Sequence, residues 1–210
     1  LEDPSNPRLL FVGTDHGLYA SMDGGKKFMG MSNGLPAVAV HDLVIQKTAK
    51  DLIVGTHGRS LYRANIDVLQ TAAIEIPVVT FTGPSKLRYS SRYGALDFNL
   101  NVREPETEFQ VFLPGESAGA KLMIKSSEGT TLFTQDVKLN GGVTSLPYDM
   151  SFDGRFAKML ESKANEDRGT DKRPISIKAA KNGKYYLRAG TYTAVLSIED
   201  KEVQAEFVVK

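Results

Sequence analysis

The sequence contains no cysteine among its 210 residues, which excludes disulfide bonds and thiolate metal sites. It also has no apolar run near the roughly 20 residues that a membrane-spanning helix requires. Neither sign of charge dominates, because 26 Lys and Arg residues face 25 Asp and Glu residues and are mixed along the chain. A nucleic-acid-binding surface would need a clustered basic face and is not expected. What remains is a chain of ordinary apolar content, long enough for one large or two modest domains.

The first residues also lack the features of a signal peptide. Leu1–Pro4 is acidic and turn-like, and neither an initiator Met nor a basic segment followed by an apolar one is present. We expect the chain to be the C-terminal piece of a longer protein, with any export signal upstream.

The octamer Ser21–Phe28 is the most informative stretch of the chain. Asp23 is a short Asx side chain, which accepts hydrogen bonds from backbone amides of its own turn. Gly24 and Gly25 permit positive φ angles, at which a Cβ atom is unfavourable. Phe28 is predicted to be a buried anchor at the start of the next strand.

This octamer lies within a segment that repeats. Leu10–Tyr19 returns as Ile53–Tyr62, and Gly13 and Gly55 are 42 positions apart. That period suits four-stranded propeller blades of about 40–50 residues. Two unrelated hairpins that share Val-Gly-Thr are the alternative, but period, strand pattern and turn residues together favour a repeat. The predicted strands of this region are 8–13, 18–21, 28–31, 38–46, 51–56 and 61–66.

The octamer resembles the Asp-box, Ser-x-Asp-x-Gly-x-x-aromatic, of BNR-repeat β-propellers such as sialidases, other Asp-box glycosidases and sortilin-type receptors. The resemblance implies that residues 1–75 are the terminal blades of a propeller, and that the last blade is completed by a strand from elsewhere in the ring. It also implies that the box fixes a hairpin away from the ligand face. The residues given this structural role are Ser21, Asp23, Gly25 and Phe28.

The same resemblance implies where a ligand would bind. In propellers, the turns between the second and third strands and the loops between blades project from the usual ligand face. This places Asp15, His16, His57 and Arg59 there, together with the loop 33–36. Arg59 offers a planar fork for a carboxylate or phosphate, and His57 a donor beside it. The alternative is that these side chains are local caps or exposed filler.

No complete catalytic or metal-binding set follows from the sequence. None of the three histidines, His16, His41 and His57, has the short spacing of a metal-binding helix or knuckle, so neither metal nor cofactor is expected. Glycosidases need two carboxylates across one sugar bond, or a Tyr nucleophile with an acidic partner and an Arg cluster. Asp15 is the one acidic residue on the inferred ligand face. The catalytic residues, if any, are therefore unknown.

The rest of the chain has a different pattern. Residues 76–96 are expected to be a linker, and 97–210 a β-sandwich of about seven strands. Phe98, Leu100 and Val102 alternate with polar residues, which predicts a half-buried strand. A short helix is expected behind Asp153 and a mobile charged insertion over 161–173. The remaining predicted strands are 109–113, 121–126, 132–138 and 143–148, followed by a C-terminal hairpin.

A second resemblance lies near the C-terminus. Leu187–Ala194 looks like the strand opening of FlgD-type immunoglobulin-like modules of bacterial secreted proteins. Together the two resemblances imply an all-β chain: terminal Asp-box propeller blades plus an immunoglobulin-like β-sandwich with a short helical insertion. The combination of propeller motifs and C-terminal module resembles bacterial BNR-repeat proteins of the sortilin-like group, which are often labelled glycosyl hydrolases.

The expected function is non-catalytic. The sandwich would support or tether an exported propeller, in the periplasm, at the cell surface or secreted, whose ligand is a glycan or polypeptide. Its partners would be the upstream blades of the same protein. One alternative is a peripheral part of a glycoside hydrolase whose catalytic residues lie upstream. Another is a purely structural adhesion or anchoring module.

Overall fold

The computed structural model describes residues 1–31, 34–73, 79–116, 118–166 and 173–210. The chain is mostly β and forms several small sheets. It divides into two compact units, neither of them continuous in sequence. The first contains Leu1–Thr82, Gln110–Ala118 and Lys138–Ser145, and the second contains Gly83–Phe109, Gly119–Val137 and Leu146–Lys210.

Two three-stranded antiparallel sheets open the first unit, and both were predicted. The first has the order β1-β2-β3 and the second β4-β5-β6. Their strands are β1 (Leu10–Thr14), β2 (Gly17–Ser21), β3 (Met29–Gly30), β4 (Val40–Gln46), β5 (Asp51–Thr56) and β6 (Leu61–Asn65). The predicted strands of residues 8–66 are therefore confirmed to within a few residues.

The two sheets approach each other closely at a glycine of the repeat. A Cβ atom on Gly13 would lie 2.6 Å from Cγ1 of Val40 and 2.9 Å from its carbonyl oxygen. Because the missing side chain lets β1 approach β4, glycine is required here for packing rather than for an unusual φ angle. At the equivalent Gly55, the nearest atoms belong to Asp42 in the same sheet, at 3.5 Å. The repeated glycine is therefore covered by a neighbouring sheet in the first copy of the repeat and by its own sheet in the second.

The core of this unit lies under the two sheets and a short helix, α1 (Asp67–Ala72). Its fully buried side chains include Phe11, Leu52, Ile66 and Leu69. The N-terminal segment is anchored to α1 by Asp3, whose carboxylate is buried. Its two oxygens accept hydrogen bonds from the amides of Ser5 and Asn6 and from Nε2 of Gln70, at 2.7–2.9 Å.

Ten further strands follow among the described residues, three of which have only two residues. They are β7 (Thr80–Thr82), β8 (Lys86–Leu87), β9 (Thr107–Leu113), β10 (Ala118–Ser126), β11 (Thr131–Leu139), β12 (Gly142–Tyr148), β13 (Ser151–Phe152), β14 (Tyr185–Tyr186), β15 (Gly190–Ile198) and β16 (Lys201–Val209). Their sheets have the orders β11-β10-β15-β16-β8, β12-β9-β7 and β13-β14. Strands β7 and β8 lie in the region predicted as a linker, of which residues 76–78 are outside the described ranges.

The predicted C-terminal hairpin is confirmed, and the structure gives its register. Strands β15 and β16 pair so that Tyr192 is opposite Phe207 and Leu196 is opposite Val203. The ring of Tyr192 stacks on Phe207, and Phe207 in turn packs against Phe109. Because alternate residues of one face are apolar in both strands, the hairpin buries that face in the core of the second unit.

The helix behind Asp153 is also confirmed, and part of the expected insertion is corrected. A 3₁₀ turn (Gly154–Phe156), capped by the Asp153 carboxylate, leads into α2 (Ala157–Glu166). Residues 161–166 are thus helical, and Glu161 and Asn165 hold the backbone of 175–177 by hydrogen bonds of 2.6–2.9 Å. Residues 167–172 of the predicted insertion lie outside the described residues.

The predicted half-buried strand at 98–102 is wrong. Leu96–Val102 forms a tight hairpin closed by a single bridge between its ends, and Phe98 is 99 % exposed. The alternation is real, but Phe98 and Leu100 are left largely uncovered by the described residues.

In the portions of the chain that the structure describes, no helix is long and apolar enough to cross a membrane.

Candidate functional site

The turn between β2 and β3 holds the Asp-box-like octamer, and its polar side chains bond to the turn itself. Oδ1 of Asp23 accepts from Oγ of Ser21 at 2.8 Å and from the amides of Lys26 and Lys27 at 2.9 and 3.0 Å. Oγ of Ser21 accepts from the amide of Gly25 at 2.9 Å. Oδ1 of this carboxylate is therefore engaged in closing the turn.

The electrostatics of the turn agree with this geometry. Hydrogen bonds from the Lys27 amide and then from the Ser21 hydroxyl lower the pKa of Asp23 below its ordinary value, so the carboxylate is ionised at neutral pH. A general acid would need a raised pKa instead.

The predicted burial of Phe28 is wrong, because its side chain is 47 % exposed, whereas Met22 of the same turn is buried. Local sequence could not identify which of the two side chains faces the core.

The two copies of the repeat contain related turns. In the first, Oγ1 of Thr14 donates to the carbonyl oxygen of Gly17 at 3.0 Å, across Asp15 and His16. In the second, Oγ1 of Thr56 donates to the carbonyl oxygen of Ser60 at 2.6 Å, across the turn that carries His57 and Arg59. Each threonine thus fixes the turn whose side chains were predicted to meet a ligand.

A histidine pair lies beside the second turn. The register of β4 on β5 shifts between Val40 and Asp42, which makes His41 the extra residue of a β-bulge. The His41 ring stacks on that of His57, with centroids 5.1 Å apart and planes inclined by 26°. The His57 amide donates to the carbonyl oxygen of Ala39 at 2.9 Å, which ties the turn to the segment before β4.

We call His41, His57 and Arg59 the histidine edge. All three side chains are exposed, and Arg59 forms no ion pair within the described ranges. The backbone next to it is strained, because Ser60 has φ 94°, a value unusual for a residue with a side chain. Two stacked imidazole rings, with an arginine on the same turn as one of them, offer ring faces and donors to a planar or anionic group.

Asp15 and His16 are exposed on the β1–β2 turn. Within the described residues, no hydrogen bond or ion pair joins them to His57 or Arg59. Of the predicted loop 33–36, residue 33 is outside the described part. His57 and Arg59 lie on one turn, as their spacing predicts, and the structure adds His41, which the sequence offered only as a candidate metal ligand.

The sequence gives no local signal of a bulge at His41. A register shift depends on which residue of β5 pairs with which residue of β4, and that pairing is set by the packing of both strands. Without the register shift, His41 and Asp42 would point to opposite faces of the sheet, as successive residues of a regular strand do. The pairing of His41 with His57 is therefore a property of the fold.

No group of three or more His, Asp or Glu side chains in the described part of the chain is arranged to hold a metal ion. A second charged cluster lies in the second unit, where Nζ of Lys184 contacts Asp149 at 2.6 Å and Glu104 at 2.8 Å. These ion pairs raise the pKa of Lys184, which keeps the amine charged and therefore non-nucleophilic.

In comparisons with known proteins, no protein-family model and no curated protein matches this chain.

Proposed function

We propose that the chain is a non-catalytic segment of an exported BNR-type propeller protein, in which the histidine edge contributes to binding a glycan or polypeptide. The second unit would be an immunoglobulin-like module that supports or tethers the propeller. The observation that carries the proposal is the exposed grouping of His41, His57 and Arg59 beside a strained backbone position.

Two features of the first unit support the propeller interpretation. The Asp23 carboxylate closes its own turn, as expected of an Asp-box with a structural role. Successive three-stranded sheets repeat at the spacing of Gly13 and Gly55, and the first sheet packs on the second at Gly13. Radial stacking of such sheets is the defining feature of a propeller.

The chemistry of the histidine edge supports binding over catalysis. Sugar rings and peptide planes offer flat faces and hydroxyl or carbonyl groups, which imidazole rings and a guanidinium contact by stacking and hydrogen bonds. Hydrolysis of a glycosidic bond requires a second carboxylate across the bond. The histidine edge itself contains no carboxylate. The neighbouring Asp42 accepts a hydrogen bond at Oδ1 from the amide of Leu43 at 2.8 Å.

Retention of the 210-residue chain on glycan and peptide arrays tests the proposal. We expect retention without release of sugar, and a loss of about tenfold or more in R59A and H57A, because an arginine fork contributes through two directed hydrogen bonds. The matched control is R63A, which removes an exposed arginine of the same sheet. Equal retention of R59A and R63A would exclude the histidine edge as the ligand-binding site. Sugar release by the chain would favour the glycosidase alternative.

A further inference from the structure

The apolar hairpin Leu96–Val102 is the largest feature of the second unit that the proposed function leaves unexplained. Phe98 is 99 % exposed and Leu100 is 76 % exposed, and Leu96 and Val102 are exposed as a bridged pair at the base. Contiguous exposed apolar side chains of this kind mark interaction sites in folded proteins.

The hairpin is rigidly built, so the apolar tip is held outward. Oδ1 of Asp97 accepts from the amides of Asn99 and Asn101 at 2.8 and 2.9 Å. The Asp97 amide donates to the Asn101 carbonyl at 2.8 Å, and the Leu100 amide donates to the Asp97 carbonyl at 3.2 Å. Four tip amides are therefore satisfied within the hairpin, and their transfer out of water costs little.

The shape and size of the hairpin select the partner. Four side chains at a hairpin tip offer less than the roughly 800 Å² per partner of a stable protein–protein interface. A lipid bilayer requires no complementary pocket, and it accepts a protruding apolar tip at lower cost when tip amides are already hydrogen-bonded, as four are here. We propose that this hairpin inserts into the surface of a phospholipid bilayer, with Phe98 and Leu100 in the acyl region.

The base of the hairpin carries charges of both signs, which suits zwitterionic lipid headgroups. Arg92 and Arg103 line a hollow of about 640 Å³ beside the hairpin, together with Asp97, Glu104 and Glu106. Glu104 is paired with Lys184, and Asp97 keeps its charge while it accepts from the tip amides, so Asp97 and Glu106 balance the two arginines. At this level the arginines can donate to lipid phosphate groups and the carboxylates can face choline amines, so binding does not require anionic lipid.

This inference gives the proposed tethering role a chemical partner and rests on that role. It is independent of the histidine edge, so vesicle binding and array retention can fail separately. Loss of array retention with intact vesicle binding would overturn the ligand proposal alone, and the reverse result would overturn only the lipid inference.

The test is flotation of the 210-residue chain with phosphatidylcholine vesicles, with and without phosphatidylglycerol. We expect F98S and L100S to lower partitioning about tenfold or more, because each loses an apolar side chain that would leave water. The control L61S makes the same change at a leucine that is 72 % exposed on β6 and should leave partitioning unchanged. All variants should retain the parental thermal midpoint, since these side chains are largely exposed.

Fluorescence locates the tip directly, because the chain has no tryptophan and F98W introduces a single probe. The lipid inference predicts a blue-shifted emission with vesicles and quenching by brominated acyl chains. It is overturned if vesicles leave the emission unchanged or if F98S floats as well as the parent. It is equally overturned if the shift follows protein concentration without lipid, which would identify a second copy as the occupant.

Discussion

Asp23 illustrates how a residue's type and its role can differ. A carboxylate in a hydrophilic turn is a plausible catalytic group by composition, yet its Oδ1 accepts three hydrogen bonds from its own turn. The sequence could predict this role because Asx turns are local: donor and acceptor lie within four residues of each other.

We predict that D23A lowers the midpoint of denaturant unfolding at pH 7, because two turn amides and a hydroxyl lose their acceptor. The folded-state pKa of Asp23 is lowered, so its contribution is present above about pH 4 and is lost as the pH falls through the folded pKa. The difference between D23A and the parent should therefore shrink below about pH 4. Urea titrations at pH 7 and pH 3 measure it.

The control is D15A, since Asp15 is an equally short acidic residue on an exposed turn of the adjacent hairpin. D15A should unfold at the parental midpoint at both pH values. If D15A and D23A behave alike, the octamer turn has no special structural role.

Local sequence did not predict the exposure of Phe28 or the contact of His41 with His57. Whether Phe28 is covered depends on residues distant in sequence, and whether His41 meets His57 depends on a register shift between strands. Neither is encoded in a local pattern, because both follow from tertiary packing.

Among elements, two alternating segments had opposite outcomes. Both β15 and Leu96–Val102 place apolar residues at every second position, and the pattern predicted a covered strand in each case. β15 lies between β10 and β16 and packs its apolar face against aromatic rings, whereas Leu96–Val102 bonds to itself. Alternation therefore reports the period of the chain and not whether another element covers the apolar face.

Ion pairs join elements that are distant in sequence in the second unit. Asp149, between β12 and β13, contacts Lys184, just before β14. Burial alone would raise the pKa of Asp149, but hydrogen bonds from Lys184 and Ser151 outweigh it and lower the pKa below its ordinary value. The pairing thus stabilises the folded state at pH values where the carboxylate is ionised.

We predict that D149N destabilises the chain by about 0.5–1 kcal/mol at pH 7, a modest value because both side chains are partly exposed. The effect should shrink as the pH falls below about 4, and it is lost as the pH passes through the lowered folded-state pKa, where the parent also loses the charge. The control D136N removes a looser, 3.7 Å ion pair with Lys121 and should change the unfolding free energy by less. An equal effect of both variants at pH 7 would contradict a specific role for Asp149.

At the scale of the whole molecule, the two compact units are not contiguous in sequence. The boundaries predicted from the sequence lie at 75 and 97, whereas Gln110–Ala118 and Lys138–Ser145 belong to the first unit in the structure. Phe112, from one of these segments, is buried in the core beneath the two repeated sheets. Such long-range membership leaves no composition change at a boundary, so composition and turn residues could not reveal it.

The central claim of this account is that the two repeats are successive sheets, the first packed on the second at Gly13. The most direct test compares the unfolding free energies of G13A and G55A, the same change at equivalent positions of the repeat. We predict a loss of about 1–3 kcal/mol for G13A, because its Cβ would overlap Val40. G55A should stay within about 1 kcal/mol of the parent, since its Cβ would make an ordinary contact. Equal effects at the two glycines would contradict the stacked arrangement.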